Sequence, residues 1–180
     1  MSDQRKFLWL STNAPPSGFR EVPKGGMCVS AFLFVTRGDD LLLGKYADDP
    51  AWEQLAGLDP DRVKTHGKGW TIPASQLRFG EQPRDAGERI AKDILHLQGV
   101  HLHEFPPESD LYRPVRFPEL GLHYDIWCFY EASISRGSKL EQLPWYDALE
   151  FHDARSLPES EYARGHRDVV ERWLTARNKK

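Results

Sequence analysis

Residues Trp70–Val100 read WTIPASQLRFGEQPRDAGERIAKDILHLQGV, and the parsing of this stretch decides the fold. Gly69–Pro73 and Gln76–Phe79 are strand-like pieces separated by a Pro-Ala-Ser turn, and Gly80-Glu81 closes a loop. Pro83 suits the first turn of a helix, and Ala86, Ile90, Ile94 and Leu97 recur at helical spacing. The spacing therefore predicts a helix over about 83–97, with Gly99 as its C-terminal stop.

Strands surround this helix. Upstream, Met27–Thr36 (MCVSAFLFVT) is β-branched and aromatic and reads as a buried strand. Arg37-Gly38-Asp39-Asp40 makes a hairpin turn into the partner strand Leu41–Tyr46. Residues 47–68 form a long insertion loop, a length that implies function or a small helix within it. Residues 1–26 are an N-terminal extension holding a short strand, Phe7–Ser11, and a turn-rich Pro/Gly stretch. Downstream, His101–Glu104, Leu111–Phe117, Leu122–Ser133 and Ala148–His152 read as strands. A closing helix over about 159–177 presents Tyr162, Val169, Val170, Trp173 and Leu174 as an apolar stripe. The element order is α+β with a mixed central sheet rather than repeated βαβ units, and no linker divides residues 1–180 into more than one domain.

Composition narrows the function classes. The 180 residues carry 24 Lys+Arg against 27 Asp+Glu, which leaves no basic footprint for duplex nucleic acid. With 39% hydrophobic residues the chain has the material for a core, so disorder is excluded. The longest uncharged apolar run, Met27–Thr36, is about half of what a bilayer requires, so no membrane partner is expected. The N-terminus lacks the long apolar block of a secretory signal. Cys28 and Cys128 both lie in apolar strands and read as buried, reduced thiols of a cytoplasmic protein.

The stretch quoted first resembles the signature region of the Nudix hydrolases, G-x5-E-x7-R-E-U-x-E-E-x-G-U with U a bulky aliphatic residue, commonly preceded by W-x-x-P-G-G. Trp70 and Pro73 match the start, while Ala74 and Ser75 stand where the paired glycines normally are. Gly80-Glu81 match the loop, and Arg89 follows Glu81 with the seven intervening residues of the pattern. Beyond Arg89 the match decays: Ile90 replaces the first helical Glu, Ala91 the aliphatic residue, Asp93-Ile94 the Glu pair and His96 the Gly. The flanking order of elements is also similar over about residues 27–176. The resemblance implies a Nudix-like α/β/α sandwich. It also implies a hydrolase of nucleoside diphosphates linked to another moiety, using Mg²⁺ or Mn²⁺ if active, with a nucleotide-like small molecule as partner.

The chemistry of that resemblance rests on carboxylates. At helix positions n, n+3 and n+4 they share one face and can gather hard cations beside a pyrophosphate. Here those positions are Ile90, Asp93 and Ile94, so one carboxylate stands where three are needed. Glu88 lies two residues before position 90, about 200° round the helix, and faces elsewhere. The resemblance implies catalytic roles for Glu81, Arg89 and Asp93, with Asp93 and Glu81 as the metal ligands. Arg89 also fits an i, i+4, i+8 ladder with Asp85 and Asp93, and as a tie between helix and Glu81 loop its role is architectural. Lys45 is a candidate for meeting phosphate, with Arg37 behind it, and Trp52, Trp127 and Tyr124 are candidates for stacking on a base. His101 and His103 share a strand face but have no third ligand in view, and Asp48-Asp49 read as a solvated turn.

Two classes of function follow. One is a Nudix-type pyrophosphohydrolase with a degraded metal site and weak or lost activity. The other is a non-catalytic nucleotide-binding or protein-interaction module, the latter using Ile90 and Ile94 in a homodimer or partner surface. If the register of the resemblance is right, Ile90→Glu with Ile94→Glu creates metal affinity.

Overall fold

Alternation along strand β1, Met27–Arg37, decides which side of the sheet each helix covers. The computed structural model describes residues 27–58, 60–66, 68–113 and 121–179. In β1, Ala31, Leu33 and Val35 point into one apolar cluster, and Phe32 and Phe34 into another on the opposite face. β2, Asp40–Tyr46, returns antiparallel through the turn at Gly38 and divides the same way, with Leu42 on the first face and Leu41 and Leu43 on the second.

The remaining strands complete a seven-stranded mixed sheet. β3 (Ala74–Gln76) pairs antiparallel with β1, while β6 (His123–Ser133) runs parallel to it from Met27↔Tyr124 to Thr36↔Ser133. β4 (His103–Glu104) and β5 (Glu108–Tyr112) lie antiparallel to β6, and β7 (Tyr146–His152) antiparallel to β2. The spatial order is β4–β6–β1–β2–β7, with β3 on β1 and β5 on β6.

Helices cover both faces. The first carries α1 (Ala51–Ala56), α2 (Pro60–His66) and α3 (Pro83–Arg89), the last continuing as a π-helical turn over Ile90–Ile94. α3 lies close on β6 because Gly87 has no side chain: a Cβ there would sit 2.8 Å from the Tyr130 ring. The second face carries α4 (His166–Arg177), whose Val169, Val170 and Trp173 are buried. Trp173 stacks on Phe34 with ring centroids 4.7 Å apart. This is the expected α/β/α sandwich around a mixed sheet.

Element boundaries differ from the sequence reading in several places, and three of the differences have a plain physical reason. Ala74 and Ser75 of the expected Pro-Ala-Ser turn are instead strand, because pairing with Ser30–Phe32 of β1 overrides the poor strand propensity of Ala and Ser. The helix expected over 83–97 is α-helical only to Arg89 and closes after the π turn, where His96 takes the left-handed conformation at φ 53°. The closing helix begins at His166, not 159, because Gly165 (φ 69°) breaks the chain and Tyr162 bridges to Trp70. The expected strand Phe7–Ser11 lies outside the described residues, as do residues 114–117 of the strand expected at Leu111–Phe117, whose first two residues end the strand Glu108–Tyr112. Among the described residues no helix is long and apolar enough to cross a membrane.

One buried histidine joins the two halves of the second face. His166, 3% exposed, accepts the Ile72 backbone N–H on Nδ1 at 2.8 Å and lies edge-on to Phe32. Burial, with the nearby Arg164 charge, holds its pKa well below the ordinary 6.5. The unfolded chain therefore takes up a proton below about pH 6.5 that the folded chain refuses, and stability falls as pH falls through that value. Urea melts at pH 7.5 and 5.5 are expected to show this loss, at up to about 1.4 kcal/mol per pH unit. His166→Gln, which retains an acceptor, should flatten the dependence; an unchanged slope in that variant removes His166 as its cause.

Candidate functional site

The Gly80-Glu81 loop and α3 meet at one ion pair. Gly80 turns the chain at φ 79°, and the Arg78 N–H donates to Glu81 Oε2 at 2.8 Å. Arg89 then reaches back with Nε to Oε1 at 2.6 Å and Nη2 to Oε2 at 2.9 Å, a bidentate fork. Its remaining donors find the Leu55 carbonyl at 2.9 Å, Ser75 Oγ at 3.0 Å and the Gln76 carbonyl at 3.1 Å. Ser75 stands at one of the pattern's glycine positions, and its hydroxyl is used here as an acceptor for Arg89. Arg78 donates to Gln54 O at 3.0 Å, so two arginines satisfy carbonyls in the last turn of α1. Burial opposes ionisation of Glu81, but the Arg89 and Arg78 contacts outweigh it and hold the carboxyl below its ordinary range.

Past Arg89 the helix widens. Leu95 N–H bonds to Ile90 O at 3.0 Å, an i→i+5 closure, and Leu97 N–H bonds to Ala91 O at 2.8 Å. A π turn brings i and i+4 nearly into line and swings i+3 away. Ile90 and Ile94 are both 0% exposed, whereas Asp93 is exposed. The shared face expected for 90, 93 and 94 is therefore split.

The two isoleucines lie in the apolar cluster on the α3 face of the sheet. Tyr46, Trp52, Ala56, Leu58 and Val63 join Ile90 and Ile94 in one apolar cluster, with Leu143 and Tyr146 beside them. Trp145 Nε1 donates to Ile94 O at 3.0 Å, and its own carbonyl accepts from Trp52 Nε1 at 2.9 Å and the Ala47 N–H at 3.0 Å. These bonds tie Ala47 and Trp52 to Ile94 through Trp145. The expectation that Ile90 and Ile94 contribute to an exposed partner surface is corrected by their burial.

The remaining expected site residues lie apart from one another. Trp52 is 1% exposed between Tyr46 (4.3 Å) and Tyr146 (5.0 Å), so no ring face is open. Lys45 Nζ sits 4.4 Å over the Trp70 ring. Trp127 is buried on the α4 face, with the Arg172 guanidinium 4.9 Å over its ring. Asp49 Oδ1 accepts the Ala51 N–H at 2.7 Å and opens α1, and Asp48 pairs with Lys64 at 3.5 Å. His101 and His103 line a shallow cleft of about 510 Å³ with Glu131, Ser133 and Arg177. Glu131 is already engaged there by Trp173 and Arg177.

One cluster escaped the sequence reading. Cys28, His123 and Asp125 bring their ligand atoms within 4.8 Å of one another, and theirs is the one such group of three among the described residues. Sheet register builds it. Cys28 lies opposite Asp125 across β1–β6, His123 precedes Asp125 by two on the same face, and Tyr112 lies opposite His123 across β5–β6. Tyr112 donates to Asp125 Oδ2 at 2.7 Å. Burial opposes ionisation of Asp125, yet hydrogen bonds from His123, Cys28 and Tyr112 together keep its carboxyl below the ordinary range. The i, i+2 spacing of His123 and Asp125 is visible in the sequence; the approach of Cys28 is not.

No family model and no curated protein matches the chain. Solved structures do match. The Escherichia coli dihydroneopterin triphosphate pyrophosphohydrolase aligns with TM-score 0.57 at 12% identity, over 82% of this chain and 94% of that one. The Nudix domain of Shewanella oneidensis NrtR, complexed with ADP ribose, gives 0.52 at 16% identity, over 91% and 93%. A Caenorhabditis elegans Ap4A hydrolase gives 0.53 at 13% identity, over 82% and 96%. At such identities the likeness establishes fold alone, and the fold is that of the Nudix hydrolases.

Proposed function

We propose that this chain uses a Nudix fold to bind a nucleotide-like diphosphate compound, with Mg²⁺-dependent hydrolysis through the box helix weak or lost. The observation that carries the reading is the complete burial of Ile90 and Ile94 in the apolar cluster on the α3 face of the sheet. Mg²⁺ needs several oxygen ligands in near-octahedral geometry. The residues at the box do not supply them: Glu81 has both oxygens on Arg89, and Asp93 stands alone of the three helical positions. Glu81 and Arg89 are then positioning residues rather than catalytic ones. Asp93 is the single box carboxylate left for Mg²⁺ or Mn²⁺ in any residual turnover. The ligand class comes from the fold neighbours, one of which is complexed with ADP ribose and another with AMP and a manganese ion. Two isolated cysteines in a chain of this size accord with a cytoplasmic setting.

Calorimetry and turnover on one protein sample test this. ADP-ribose and related nucleoside diphosphate compounds are titrated with and without Mg²⁺ or Mn²⁺. Saturable binding that needs no metal, with little or no product, is expected. Metal-dependent turnover at ordinary enzyme rates, about 1–1000 per second, that disappears in Asp93→Ala overturns the reading, as does failure of every compound to bind.

A further inference from the structure

We propose that Cys28, His123 and Asp125 form a Zn²⁺ site on the α4 face of the sheet, on the opposite side from the box helix and independent of what the box does. The three donor atoms converge on one point. Cys28 Sγ lies 3.5 Å from His123 Nε2, and His123 Nε2 lies 3.1 Å from Asp125 Oδ1. Tetrahedral zinc with one sulfur, one nitrogen and one oxygen ligand demands edges of about 3.6 Å for S···N and about 3.3 Å for N···O. Two of the three edges are thus close to their final length. The third, between Cys28 Sγ and Asp125 Oδ1, is a direct hydrogen bond and must open when the ion enters.

The same geometry argues against a thiol nucleophile of the Cys-His-Asp kind. Such a relay needs one imidazole nitrogen on the sulfur and the other on the carboxylate. Here Nε2 alone faces both Cys28 and Asp125. The donor set also selects the metal: a thiolate and an imidazole suit zinc and repel Mg²⁺, which prefers oxygen. Tyr112, bonded to Asp125 Oδ2, fixes the carboxylate so that Oδ1 is presented, the supporting role that metal carboxylates usually have filled. The three ligands come from β1 and β6 and the supporting hydroxyl from β5, so the ion would pin three adjacent strands. With three protein ligands, a fourth position is left for water or an anion among the described residues. On binding, the Cys28 thiol releases its proton to solvent, and sulfur and Nε2 each donate a lone pair.

Cobalt substitution tests the site without any activity assay. The full chain, stripped with chelator, is titrated with Co²⁺ and then displaced with Zn²⁺. One equivalent should bind, with the near-ultraviolet thiolate charge-transfer band and the intense visible bands of a four-coordinate ion, and millimolar Mg²⁺ should not compete. Cys28→Ser should abolish the charge-transfer band, and Tyr112→Phe should weaken Zn²⁺ binding by about 10–100-fold. Absence of any thiolate band in folded wild-type protein overturns the proposal, as does an unchanged spectrum in Cys28→Ser. The wild-type titration decides the matter even if a variant does not fold.

Discussion

Ile90→Glu and Ile94→Glu are each expected to destabilise the chain by more than about 4 kcal/mol, and together to leave it unfolded at neutral pH. Restoring the carboxylates of the resembled pattern creates no metal site here, because both side chains end fully buried in an apolar cluster that also holds Trp52, Tyr46 and Tyr146. Removing a buried isoleucine already costs about 2–5 kcal/mol, and an unpaired carboxyl in its place adds a desolvation penalty. A domain of ordinary stability holds only about 5–15 kcal/mol, so two such changes exhaust it. The penalty carries a pH signature. A carboxyl buried without a partner has its folded pKa raised, so its cost is greatest above that value and eases on acidification. Denaturation of the single variants at pH 7.5 and 5 should therefore show a smaller deficit against wild type at pH 5. A variant that folds and whose melting temperature rises with millimolar Mg²⁺ would sink this account, since only an accessible pair of carboxylates could respond to that ion.

Local patterning in the sequence located what local forces control. The β1–β2 hairpin follows from two apolar runs around Arg37–Asp40, and the start of α3 from Pro83, with Asp85 accepting the Gln82 N–H at 3.4 Å. The site was less legible because its decisive contacts are long-range. Nothing local signals that Ala51–Ala56 and Pro60–His66 fold into α1 and α2 and bring Trp52, Ala56, Leu58 and Val63 into the same apolar cluster as Ile90 and Ile94. The π turn is equally hidden, since the 3.6-residue period of Ala86, Ile90 and Ile94 suits an α-helix as well. His96 ends the helix in a left-handed conformation that side-chain preference alone would have given to Gly99. Cys28 looked like an inert core thiol because its neighbours, His123 and Asp125, lie 95 and 97 residues away and are brought to it only by the parallel β1–β6 register.

Arg89→Ala should cost about 3–5 kcal/mol, the usual result of breaking a buried ion pair by removing one partner. Arg89 is 8% exposed and the Glu81 side chain 11%, so the stranded carboxylate would have little water to turn to. The loss reaches beyond the pair: the Leu55 and Gln76 carbonyls and Ser75 Oγ lose a donor at the same moment. One guanidinium thus clasps α1, β3, the Gly80 loop and α3, a set that a lysine cannot serve, because its ammonium lacks the planar fork. Arg89→Lys should accordingly recover less than half of the loss. Glu81→Ala with Arg89→Ala should be less damaging than the sum of the two singles, because each single variant leaves a buried charge that the double removes. The pair also has an acid limb. Glu81 has a folded pKa below its ordinary 4.5, so its contribution is fully present above that value and is lost as pH falls beneath it. Urea denaturation of the four-member cycle at pH 7 and pH 4 measures all of this. Strict additivity at pH 7 would mean that the two side chains act separately, and the clasp, with the architectural role it gives to the best-matched residues of the box, would have to be abandoned.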